Sequence, residues 1–155
     1  MELQPPLDDR TRWSAIGQCP IEKAMGLVGS RPAMLLLREA HYGTQRFDDF
    51  VERVGIAPAT AAAHLRALTE AGLLERATYQ EPGDRAREGY SLTRAGSDLM
   101  PVVIGLFEWG VRYADGNDAL EYSHVGCGAP VTVNVACAEG HLLSSDEVAV
   151  RVAHD

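Results

Sequence analysis

Apolar residues recur every three or four positions through the first part of the chain, which predicts a series of short helices. The segments 20–28, 32–42 and 48–54 each show this spacing, and each is followed by a glycine. Glycine commonly ends a helix because it adopts left-handed backbone angles at little cost. In the first segment the predicted apolar stripe consists of Ile21, Ala24, Met25 and Val28.

The stretch Ile56–Arg76 predicts the helix around which the other elements are arranged. Pro58 suits a first helical turn, where its missing N–H costs nothing. Gly72 ends the predicted helix. The apolar stripe is formed by Ala61, Leu65 and Leu68. The opposite face carries mostly alanine and could approach another surface closely.

Two alternating segments follow that helix and predict a β-hairpin. The strands are expected at Leu73–Tyr79 and Glu88–Leu92, and Pro82-Gly83-Asp84 is the turn signal between them. Helix, tight turn, helix and hairpin is the order of a winged helix-turn-helix, whose second helix lies in the DNA major groove. A single amphipathic helix in any small α+β domain remains the alternative.

A longer apolar helix is predicted from about Arg94 to Ala114, with Pro101 bending it or weakening one hydrogen bond near Ser97. Its apolar face is too broad for one small domain to cover, so we expect a second copy of the chain to cover it. The alternative is that the helix folds back on its own core. The candidate dimerisation residues are Leu99, Val103, Leu106, Trp109 and Tyr113.

The pattern changes after about residue 115. Valines alternate with polar residues around 131–137 and 148–152, which predicts a small β-hairpin or two-stranded appendage. The expected organisation is an arm at 1–18, a winged helix-turn-helix domain at 19–92, a dimerisation helix at 93–114 and an acidic β appendage at 115–155. The fold class is α+β, mainly α.

The formal charge of −8 argues against nucleic-acid binding at first sight, because DNA-binding surfaces are usually basic. One basic and seven acidic residues give 115–155 a charge of −6, whereas 19–92 holds nine basic and ten acidic residues. The candidate DNA-binding domain is therefore near neutral, and local arrangement decides phosphate contact.

Several protein classes are disfavoured by the sequence. No apolar run is long enough to span a membrane, and the acidic, proline-bearing start is unlike a signal peptide, so a cytoplasmic location is expected. Three dispersed cysteines do not suggest a disulfide framework. No phosphate-binding glycine loop or nucleophile motif is present, so we expect neither an enzyme nor a cofactor.

The order of motifs resembles the HxlR-type winged-helix transcriptional regulators of bacteria. The matching segments, which cover about residues 19–110, are CPIEKAMGLVGSR, LLLREA, QRFDDFV, IAPATAAAHLRALTEAGLLER, GYSLTRAG and LMPVVIGLFEWG. The resemblance implies a homodimer on pseudo-palindromic double-stranded DNA, joined through the terminal helices. It also implies a small-molecule or oxidant inducer, because several members sense electrophiles or oxidants through a cysteine at the position of Cys19.

The resemblance and the residue types together give candidate DNA contacts. On the helix after Pro58, Arg66 could reach a guanine edge or a phosphate, and Thr60 could contact either or a thymine methyl group. The full set of candidates is Arg46, Thr60, Ala62, His64, Arg66, Arg76, Arg85 and Arg87. A solvated helix face is the alternative, as is a winged-helix module that binds a protein partner instead of DNA.

Cysteine and histidine provide two further hypotheses. Cys19 comes just before a predicted helix start, a position that favours a reactive thiolate, but a plain buried thiol is an equal alternative. The tail contains His-x2-Cys followed by Cys-x3-His, a ligand set that suits tetrahedral zinc. The residues are His124, Cys127, Cys137 and His141. Because an alternating segment separates the two pairs, the sequence favours a plain β appendage without an obligatory metal, and zinc stays the alternative.

Overall fold

The computed structural model describes residues 1–11, 19–80, 85–114 and 120–152. The chain forms two compact units. One comprises residues 20–117, and the other joins residues 1–19 to residues 118–155. The predicted N-terminal arm and C-terminal appendage thus belong to one unit.

The first unit begins with four helices. They are α1 (Pro20–Val28), α2 (Arg31–His41), α3 (Phe47–Val54) and α4 (Pro58–Glu70). The start of α2 is fixed by Ser30, whose Oγ accepts a hydrogen bond from the backbone N–H of Ala33 at 3.2 Å. Such a cap satisfies one of the N–H groups that a helix leaves unpaired at its start.

The helices enclose one hydrophobic core. Its fully buried large side chains are Phe50, Leu36, Leu37, Leu65, Leu68 and Leu74. Burying a side chain of this size stabilises the fold by roughly 1.5–3 kcal/mol. Because α2 supplies two of these leucines and packs against α3 and α4, it is the central helix of this core.

The two strands β2 (Leu74–Tyr79) and β3 (Arg87–Leu92) form an antiparallel hairpin, the wing. Leu74 lies opposite Leu92 at its base, and Tyr79 lies opposite Arg87 towards its tip. The backbone N–H of Tyr90 in β3 also donates to the carbonyl of Gln45, just before α3, at 3.0 Å. The predicted turn at residues 82–84 lies outside the described residues.

The helix predicted from Arg94 to Ala114 is instead two helices, α5 (Arg94–Ser97) and α6 (Met100–Tyr113). Proline at position 101 has no N–H to donate to the carbonyl of Ser97, and its ring disfavours a continuous helix there. Pro101 therefore sits in the first turn of a new helix, where it is well tolerated.

The second unit pairs the two ends of the chain. β1 (Glu2–Leu3) runs parallel to β4 (Ala149–Val150), and the backbone N–H of Glu2 donates to the carbonyl of Val148 at 2.9 Å. The residues predicted as a strand around 131–137 form no regular strand, only isolated bridges in two short hairpins. No described residue of 120–152 is buried, so no core face is available to specify a longer register.

In the part of the chain that the structure describes, none of the helices combines the length and the apolar character that crossing a bilayer would require.

Candidate nucleic-acid interface

The helix α4 is held at the surface by its predicted apolar stripe. Ala61, Leu65 and Leu68 are buried to within 1% of complete burial. Gly55, with a φ of 67°, makes the left-handed turn that ends α3 and leads into α4. The two helices are therefore the helix-turn-helix predicted from the sequence, and the opposite face of α4 is exposed.

The exposed face of α4 is built from small residues around one long cation. Ala59, Ala62 and Ala63 are exposed beside Arg66. The Nε of Arg66 lies 4.0 Å from Oε1 of Glu70, and both side chains are more than 70% exposed. An exposed ion pair of this kind contributes little, about 0–1 kcal/mol, so phosphate or a base edge can replace Glu70.

Thr60 and His64 occupy the border between the two faces of α4, and both are half-buried. They are one helical turn apart and form one side of the exposed alanine surface. Thr60, a candidate DNA contact from the sequence, is therefore only partly accessible. Its partial burial leaves Arg66 and the alanines as the more accessible part of the helix.

The start of α4 has no side-chain cap, because Ala57 carries no acceptor. Backbone N–H groups in a first helical turn attract phosphate when no side chain satisfies them. Because no side chain caps it, the N-terminal end of α4 is suited to contact a DNA backbone.

The wing carries the next group of cations. Arg85 and Arg87 are exposed towards its tip. Arg76 lies over the ring of Tyr90, with its guanidinium carbon 4.3 Å from the ring centroid. This cation–π contact holds Arg76 against the hairpin while leaving the residue exposed.

Arg46, the residue before α3, is half-buried and lines a polar groove of about 420 Å³. The groove also involves Arg53 of α3 and Gln80 at the end of β2. It therefore links the start of the helix-turn-helix with the wing.

A buried polar network that the sequence analysis missed fixes α3 against α2. Glu39 is only 6% exposed, and its carboxylate accepts hydrogen bonds from Arg38 at 2.6 Å and from the hydroxyl of Thr44 at 3.3 Å. Arg53 of α3 donates to the same hydroxyl at 2.7 Å. A glutamate on the apolar face of α2 is the sequence signal that could have revealed this network.

A second surface of this unit is apolar. On α6, Val102, Leu106, Trp109 and Tyr113 recur at helical spacing and are 47–64% exposed. On α1, Ile21 and Met25 are 73% and 56% exposed, so only Val28 of the predicted stripe reaches the core.

Two of the predicted dimerisation residues are less accessible than the others. Val103 is 7% exposed, and Leu99 packs against the core cluster. The other side of α6 packs against α2, so part of its apolar surface is already covered. Leu106, Trp109 and Tyr113 remain available.

The three thiols lie in different surroundings. Cys19 directly precedes α1 and is half-buried. In the tail, His124 lies beside Cys127, and Cys137 lies beside His141. No three His, Cys, Asp or Glu side chains within the described ranges are grouped closely enough to hold a metal ion.

Comparison with known proteins supplies the family. Residues 27–118 match the model of the HxlR-like helix-turn-helix family. The chain belongs to this family. It is therefore a DNA-binding transcriptional regulator, and double-stranded DNA is its implied partner.

The relatives agree with this assignment. The HTH-type transcriptional regulator Rv3095 of Mycobacterium tuberculosis, itself uncharacterized, is 34% identical over 119 residues, which cover 76% of this chain and 74% of the relative. The fold is similar to that of PA1607, a candidate transcription factor, with 27% identity, a TM-score of 0.76 and coverage of 91% and 98% of the two chains. The reduced redox regulator HypR matches at 28% identity with a TM-score of 0.55, over 63% of this chain and 95% of HypR.

Proposed function

We propose that the chain regulates transcription as a homodimer that binds operator DNA with α4 in the major groove. The observation that carries the proposal is the exposed alanine face of α4, with Arg66 on it and a wing that carries exposed arginines following directly. Small side chains allow the helix backbone to approach base edges closely, and the long arginine supplies a directed donor pair.

In this arrangement Arg66 reads a base edge, while Arg85 and Arg87 contact the DNA backbone from the wing. Arg46 and Arg76 extend the phosphate contacts on either side. Contacts to phosphates set the position of the protein on DNA, and contacts to base edges provide sequence preference. Because each arginine that contacts a phosphate releases a counterion, binding through several arginines is expected to weaken steeply as salt increases.

The homodimer is supported by the two exposed apolar helix faces. The exposed apolar side chains of α1 and those of α6 would all face water in a monomer, which is unusual for so many large apolar residues. A two-fold dimer buries the same surface on both copies and presents two α4 helices to successive major grooves. Because operator DNA lies in the chromosome, a cytoplasmic location is part of the proposal.

A response to oxidants or electrophiles through Cys19 is the finer part of the proposal. It is supported by the position of this half-buried thiol directly before α1, and by the similarity to HypR, which is described as a redox regulator.

A protein-interaction module is the second candidate function, and the charge of −8 favours it. The deciding experiment measures fluorescence anisotropy of the full chain on the DNA upstream of its own gene and on a scrambled duplex, at two salt concentrations. We expect tighter binding to the upstream DNA. Equal binding to both duplexes would replace sequence-specific recognition by the protein-interaction function.

The role of Cys19 is tested with diamide. Oxidation of the wild type should release the upstream DNA, and reductant should restore binding. The Cys19→Ser variant should stay bound, whereas Cys127→Ser should respond like the wild type. Release of Cys19→Ser by diamide would show that the response does not depend on this thiol.

A further inference from the structure

The tail contains two small hairpins, and each holds one histidine and one cysteine across its turn. In the first, the backbone N–H of His124 donates to the carbonyl of Ala129 at 2.8 Å, which closes the hairpin. The imidazole Nδ1 of His124 lies 3.1 Å from the Sγ of Cys127.

The second hairpin repeats the arrangement in reverse order. The backbone N–H of Cys137 donates to the carbonyl of His141 at 3.0 Å. The Sγ of Cys137 lies 3.5 Å from Nδ1 of His141. Two hairpins of one tail therefore each present a nitrogen and a sulfur side by side.

Glycines with left-handed angles make these turns tight. Gly128 follows Cys127 with a φ of 70°, and Gly140 precedes His141 with a φ of 83°. Other residues adopt such angles only with strain. Each turn thus returns the chain so that both donor atoms of the hairpin lie on the same side.

The donor separations fit a tetrahedral metal. Zinc binds sulfur at about 2.3 Å and nitrogen at about 2.0–2.1 Å, so two such ligands at the tetrahedral angle are about 3.5 Å apart. The separations of 3.1 Å and 3.5 Å are near this value. Thiolate and imidazole donors favour zinc over calcium or magnesium, which prefer oxygen.

The unit also lacks the core that would hold it together. Among its described residues, 1–11, 19 and 120–152, Leu7 alone is buried. A small unit with so little buried apolar surface usually needs a disulfide, a metal or a partner to fold stably. A metal joining the two hairpins would supply the missing constraint.

We propose that His124, Cys127, Cys137 and His141 bind one zinc ion. The pairs are separate in this structure, since no three such side chains are grouped among the described residues. Zinc would bring the two pairs together, and the two thiols would release their protons to solvent. Two thiolates then balance the charge of the ion. This reverses the expectation of a plain appendage.

The test measures zinc by elemental analysis in full-length protein purified without chelator. We expect one zinc per chain, lost in Cys127→Ser, Cys137→Ser and His141→Ala. The His141→Cys variant should keep the metal, because thiolate also binds zinc. Cys19→Ser should keep it as well, since Cys19 lies outside both hairpins.

Circular dichroism shows whether the helical unit of each variant is still folded. The helices lie outside the tail, so their signal should persist in every variant. Cobalt substitution should give the absorption of a tetrahedral thiolate site. No zinc in the wild type would overturn the proposal. Two zinc ions per chain, or retention of zinc in Cys127→Ser, would also overturn it, because the pairs would then bind independently or not at all.

Discussion

Gly96 shows how a single residue sets the relation between the helix-turn-helix and the C-terminal helices. It is buried in α5, and a Cβ built on it would collide with the backbone carbonyl of Leu73. Thr93 secures the same junction, because its hydroxyl donates to the carbonyl of Gly72 at 2.6 Å and accepts from the N–H of Gly96 at 3.1 Å. The end of α4, the base of the wing and α5 therefore meet at one point.

Replacing Gly96 with alanine should destabilise the protein by roughly 1–3 kcal/mol, because the collision is with backbone and forces the elements apart. Thermal unfolding followed by circular dichroism measures the change. The control is Gly26→Ala in α1, which has no neighbour within 4 Å of the added Cβ and should be neutral or gain up to about 1 kcal/mol. If the two variants unfold at the same temperature, the close packing at Gly96 does not contribute to stability as described.

At the scale of the element, α6 has two apolar sides with different roles. Val103 is buried in the interior of the unit, whereas Leu106 and Trp109 are 52% and 59% exposed. The sequence indicated an apolar helix but not its division, because both sides carry the same kind of residue. Only the packing of α6 on α2 distinguishes them.

Replacing Leu106 and Trp109 together with glutamate should give folded monomers, because charge on this face opposes its burial in a dimer. Sedimentation velocity at micromolar concentration measures the state. The control, Val125→Glu, changes a fully exposed valine in the tail and should leave the dimer intact. A wild type that sediments as a monomer would contradict the dimer itself.

Element boundaries show which parts of the fold are readable from sequence. The bounds of α4 were predicted closely because Ala61, Leu65 and Leu68 all face the core, and because Gly72 follows the end of the helix. The tail was predicted in part. The alternation at 148–152 coincides with β4 (Ala149–Val150), whereas the valines around 131–137 form no regular strand and are not buried, so their alternation has no core face to fix it.

At the scale of the whole molecule, charge and function come from different parts of the chain. The acidity that argues against DNA binding is concentrated in residues 115–155, outside the helix-turn-helix. The position of the helix-turn-helix depends on the Glu39, Thr44 and Arg53 network, which single-residue patterns did not reveal. Local periodicity therefore predicted α4, whereas the polar network that holds the helix-turn-helix in place became visible only in the tertiary structure.

The central claim is that α4 reads DNA through Arg66. The most direct measurement is the ratio of dissociation constants for the scrambled and upstream duplexes, determined by anisotropy for Arg66→Ala and for Arg151→Ala. The second variant removes the same charge outside the winged-helix unit. We predict that Arg66→Ala lowers the ratio by about 5- to 150-fold, the equivalent of roughly 1–3 kcal/mol, while Arg151→Ala keeps it. An unchanged ratio in Arg66→Ala would contradict the claim.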